Sequence, residues 1–138
     1  MANYKSIKGF KIENKDSNPV VNVASWSAGG NLNTARRALA GGGTQTAGLA
    51  FGGYDTNLSG KTEEYNGSSW AEDGDLNTAR AALAGCGVIP AALAFGGGTT
   101  TTQAVAEEYN GSSWTETGDL SNARDQLAGA GTQTAGLA

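Results

Sequence analysis

The sequence predicts an all-β protein built from repeated four-stranded units. Three observations carry that prediction. Trp26, Trp70 and Trp114 recur every 44 residues, and Ala35-Arg36, Ala79-Arg80 and Ala123-Arg124 keep the same interval. Longer stretches repeat as well: Glu63-Glu64-Tyr65-Asn66-Gly67-Ser68-Ser69-Trp70 returns at residues 107–114, and Phe51-Gly52-Gly53 returns as Phe95-Gly96-Gly97. Finally, 22 glycines in 138 residues with only 7% aromatics suit short strands and tight turns better than long helices. A fixed period in the 20–50 residue range marks units that bury their apolar faces only against one another.

Within one repeat, the first strand is expected at Arg80–Cys86, a small-residue stretch ending in the glycine region. Ala91–Phe95 is a brief apolar run closed by Gly96-Gly97, which suits a strand covered on both faces. Ala104–Tyr109 partly alternates, as a half-buried strand does, and Asn110-Gly111 then signals a type I′ hairpin. The return strand is expected at Ser112–Thr117, before Gly118-Asp119 turns the chain toward the next unit. Glycine and alanine crowd the first two strands, where units converge, while Trp, Tyr and Leu at fixed offsets fill the wedge between neighbours.

Four-stranded meanders at this period are the blades of a β-propeller. The pattern resembles the Kelch repeat: Gly52-Gly53, Tyr65, Trp70, Arg80, and again Gly96-Gly97, Tyr109, Trp114, Arg124. Trp26 and Arg36 supply the earliest copies of two of these positions. Absence of histidine and of a Trp-Asp pair makes WD40 the weaker match. The wording also resembles Kelch-like proteins of marine bacteriophage, through Thr44-Gln45-Thr46-Ala47-Gly48-Leu49-Ala50 and its copy at residues 132–138. The opening Tyr4–Ile12 is similar to the amino-terminal segment of virion appendage proteins. The resemblance implies a component of a virus particle, a tail-fibre or capsid-decoration protein.

The expected organisation is a basic anchor segment over residues 1–18 and Kelch-like β-propeller repeats over 19–138, in units 19–62, 63–106 and 107–138. Pro19–Ala24 aligns with a third strand, and Trp26 opens a fourth. The result is an incomplete ring of about three blades, short of the roughly 4–8 that close one. Either a longer chain, favoured because the sequence stops inside a unit, or a homo-oligomer would complete it.

Net charge is −4, unevenly spread. Residues 1–25 carry four lysines against Glu13 and Asp16, whereas residues 26–138 carry five basic and eleven acidic side chains. A basic head on an acidic body points to a docking head, and the acidic body argues against a nucleic-acid partner. No apolar run is long enough for membrane insertion as a helix. With no histidine and one cysteine, no metal or cofactor is expected.

No catalytic residue emerges, so the chain is expected not to be an enzyme. The pairs Glu63-Glu64 and Glu107-Glu108 are expected to be solvated edge charges, because strand neighbours point to opposite faces and do not converge. Arg36, Arg80 and Arg124 are expected to pair with a carboxylate or loop carbonyls between units. Cys86 replaces Gly42 and Ala130 and should pack as a small hydrophobe. Binding candidates lie in the loops that differ between units: Tyr54, Asp55, Asn57 and Lys61 in one, Thr99, Thr100, Thr101 and Gln103 in the next.

The expected function is a virion structural appendage, a tail or head fibre on the particle surface. Residues 1–18 would hold other virion proteins, and the propeller body would recognise a host surface or glycan. The alternative is a capsid decoration protein without a host ligand. A propeller enzyme is the remote third reading, since it lacks the ligands and clustered arginines such enzymes use.

Overall fold

The computed structural model describes residues 28–138. The anchor at residues 1–18, the strand expected at Pro19–Ala24 and the signature residue Trp26 lie outside the described residues. Those described form an all-β architecture of three antiparallel sheets and no helix. The first sheet runs β1(Ala40–Thr44), β2(Ala47–Phe51), β3(Thr62–Tyr65) and β4(Trp70–Asp73), side by side in chain order. The second repeats it with β5(Ala84–Val88), β6(Ala91–Phe95), β7(Ala106–Tyr109) and β8(Trp114–Glu116). A third sheet has two strands, β9(Ala130–Thr132) and β10(Ala135–Leu137), and none of the three closes on itself.

The 44-residue period is thus one sheet per repeat, with matching registers. Ala40 faces Phe51 as Ala84 faces Phe95, and Tyr65 faces Trp70 as Tyr109 faces Trp114. The second strand falls at Ala91–Phe95, where its apolar run places it. The first strand does not follow its expectation: it begins at Ala84 rather than Arg80. Ala82 has a φ of 54°, in the left-handed region, as do Ala38 and Gln126 at the same repeat position. That bend takes residues 80–83 out of the sheet and across to the neighbouring units. The Ala82 amide donates to the Ala38 carbonyl at 2.8 Å, and the Gln126 amide donates to the Ala82 carbonyl at 2.8 Å.

The Asn-Gly turns also depart from expectation. Tyr109 pairs with Trp114, so the loop has four residues rather than two. Gly111 alone takes positive φ (99°), while Asn110 Oδ1 accepts from the Ser112 and Ser113 amides, each at 3.0 Å. Asparagine here folds the loop through its side chain, which competes with the I′ geometry.

Between the first two sheets lies the main core. Leu49 and Phe51 from β2 meet Ala92, Ala94, Tyr109 and Trp114, and all six are buried. Phe51 and Trp114 stack obliquely with ring centroids 4.8 Å apart. Both polar tips find partners across the interface: Trp114 Nε1 donates to Thr62 Oγ1 and Tyr109 Oη donates to Glu64 Oε1, each at 2.9 Å. Burial, and then the Glu64 carboxylate, push the Tyr109 phenol well above its ordinary pKa.

Candidate functional site

The acidic pairs are not edge charges. β3 and β7 are interior strands, and Glu63 and Glu107 are fully buried. Each is the partner of a repeat arginine: Arg36 Nη1 lies 3.2 Å from Glu63, and Arg80 Nη1 bonds Glu107, with all four side chains solvent-free. Glu107 also accepts from the Asn77 amide at 2.7 Å and from Asn77 Nδ2 at 2.9 Å. Arg80 Nε and Nη1 donate to the carbonyls of Gly96 (2.9 Å) and Thr78 (3.2 Å). The cluster lies inside one sheet and its lead-in segment, so Arg36 and Arg80 brace their own units from within rather than pairing between units, while Arg124 is exposed. Around Arg36 the set is looser, and its buried Nε finds no hydrogen-bond partner.

The Glu63 and Glu107 carboxylates are thus spent on their arginines. The loop between β2 and β3 is different. Tyr54 bridges backbone to backbone with Arg37, and the Arg37 guanidinium lies 4.9 Å from the centre of the Tyr54 ring. Asp55 folds the next turn, its Oδ1 accepting from the Thr56 amide and, at 2.9 Å, from the Asn57 amide. These backbone donors, Asn57 first and Thr56 second, hold the Asp55 carboxyl below its ordinary pKa. Ala35, Arg36, Arg37, Tyr54, Asp55 and Thr56 line an open polar hollow of about 360 Å³.

The candidate loop residues are therefore divided. Tyr54 and Asp55 line the hollow, and Asn57 is exposed on the turn that Asp55 organises. Lys61 is committed elsewhere, donating to Thr34 Oγ1 at 2.9 Å and to Glu72 Oε1 at 3.1 Å. In the second unit, Gln103 Nε2 closes its loop on Thr99 Oγ1 (3.2 Å) and on the Thr101 carbonyl (3.0 Å), leaving Thr100 and Thr101 exposed. The equivalent bridges Arg37–Tyr54 and Ala81–Gly98 place both loops at the same end of their sheets. Arg37 was missed at the sequence level, though its position is occupied by Ala81 and Asp125 in the other units. That difference between repeats is the signal that would have found it.

No cluster of metal-ligating side chains exists among the described residues. Asp73 and Asp75 are spent on backbone, their Oδ1 atoms accepting from the Gly74 amide at 2.6 Å and the Thr62 amide at 3.2 Å. Cys86 is buried, and desolvation raises its thiol pKa, so it does not present a ready thiolate. No helix among the described residues is long and apolar enough to cross a membrane. No protein-family model matches the chain, and no curated protein matches it.

Proposed function

We propose that the chain is a non-enzymatic recognition module of a virus particle, a Kelch-like propeller segment that presents its β2–β3 type loops to a host-surface glycan. One observation supports recognition most directly: the Arg37–Tyr54–Asp55 hollow is open and polar, whereas Arg80 and Glu107 are satisfied internally. A half-buried aromatic ring with charge on either side suits the faces and hydroxyls of a sugar. Loops carried on a repetitive scaffold are free to differ while the sheets stay constant. The four lysines of residues 1–25 support an anchoring head.

A glycan array probed with the multimerised chain tests recognition. Reproducible binding that Tyr54→Ala and Arg37→Ala each reduce tenfold or more is expected. Silence under multivalent display would leave capsid decoration as the better reading. Immunogold labelling of purified particles tests the placement: label at fibre tips agrees with recognition, and unlabelled particles overturn the viral assignment. Deletion of residues 1–18 should abolish incorporation while the sheets stay folded.

A further inference from the structure

The second sheet has a flank that the first does not. Between sheets one and two, the recess over Phe51 is filled by Trp114, and Glu64 receives the Tyr109 hydroxyl. On the far side of sheet two, the corresponding Phe95, Ala106 and Glu108 line an open hollow of about 290 Å³, together with Leu120, Gln133 and Leu137. Among the described residues β10 pairs with β9 alone, and Leu137 is 73% exposed. A second observation is independent of that hollow. Arg36 and Arg80 are buried against a third-strand glutamate, but Arg124 at the same repeat position is exposed.

We infer that this flank docks a strand pair of a further repeat unit, one written with the chain's own Glu-Glu-Tyr-Asn-Gly-Ser-Ser-Trp pattern. Its first strand adds to the edge of β10 that faces away from β9, as β7 adds to β6. That register places the first glutamate against Arg124, the tyrosine hydroxyl on Glu108 and the tryptophan over Phe95. The chain's residues 19–26 are a poorer occupant. They keep Trp26 but put Pro19 where the arginine needs a carboxylate and Val21 where Glu108 needs a hydroxyl. Residues 28–30 also lie on the opposite side of the first sheet, where the Gly30 carbonyl accepts from Trp70 Nε1 at 3.0 Å.

The test adds a synthetic peptide of residues 106–117 to the full 138-residue chain. Saturable one-to-one binding by calorimetry is expected, with slowed amide exchange at Gly136 and Ala138, whose equivalents in β2 and β6 donate to the third strand. In the peptide, Glu107→Gln and Trp114→Ala should each weaken binding about tenfold or more, since each removes a buried partner. Arg124→Met in the chain should weaken the unmodified peptide yet leave the Glu107→Gln peptide unaffected, a coupling that misfolding would not produce. Absence of binding at millimolar peptide, with the chain's near-ultraviolet dichroism intact, would overturn the inference. So would binding indifferent to these changes, or a self-associated chain that Trp26→Ser dissociates.

Discussion

Arg80 and Glu107 illustrate how much a single buried pair can commit. Glu107 accepts from Arg80, from Asn77 and, at 3.4 Å, from the Thr78 amide, so it satisfies a guanidinium and two backbone donors at once. Removing it leaves a solvent-free arginine without a counter-charge, which costs about 3–5 kcal/mol. Glu107→Ala is therefore expected to lower the denaturant midpoint severely. A joint Arg80→Met, Glu107→Leu change should recover only part of the loss, because the Asn77 and Thr78 amides remain unpaired. Full recovery in the same unfolding experiment would mean that the pair acts by charge alone. Tyr109 gives a pH dependence of known sign. Its folded pKa is raised above the ordinary value of 10.0, so its contribution is complete below that pH and is lost as pH rises beyond it. Stability followed by urea unfolding should fall above pH 10, and Glu64→Gln should make the fall shallower. Asp55 behaves oppositely. Its lowered pKa means that the Thr56 and Asn57 amide bonds persist down to a pH below 3.8 and are released only as pH falls further. Amide chemical shifts of those two residues, followed through an acid titration, would show it.

At the scale of the element, the close approach of one sheet to the next is set by a missing side chain. A Cβ built on Gly85 in β5 would meet Phe51 Cζ at 2.3 Å and the Leu93 carbonyl oxygen at 2.9 Å. Phe51 is fully buried and held against Trp114, so it has little room to yield. Gly85→Ala should destabilise by about 1–3 kcal/mol in thermal or denaturant unfolding. Cys86→Ala, next in the strand but replaced by Gly42 and Ala130 in the other repeats, should cost less. The repeat period, the strand at Ala91–Phe95 and the small residues of the inner strands were legible because each rests on local patterning or turn chemistry. The displaced start of β5 was not, because it depends on a left-handed Ala82, and alanine carries no sign of that conformation. The burial of Glu63 and Glu107 was hidden for another reason. A carboxylate looks solvent-bound until its arginine, 27 residues away, is brought beside it. The hollow at Tyr54 was half visible: variation between loops marked Tyr54 and Asp55, while Arg37 is supplied by a different segment.

For the molecule as a whole, stability in a chain of stacked units is close to a sum of each unit's own terms and its contacts with neighbours. Among the described residues, sheet two has partners on both sides, whereas the two-stranded third sheet is covered on one side and its six strand residues are exposed. Protection against amide exchange should therefore be graded rather than uniform. The slowest amides are expected in β6 and β7, where Ala92, Ala94, Glu107 and Tyr109 are buried, and the fastest in β9 and β10. The gradient also separates two causes of instability. Gly85→Ala acts at the contact between sheets one and two, so it should speed exchange in both β2 and β6. Arg124→Met acts on an exposed side chain and should leave both unchanged. Exchange read by mass spectrometry after peptic digestion gives strand-level detail. Uniform rates across the ten described strands would mean that the units unfold as one block, and the nearest-neighbour description would then fail.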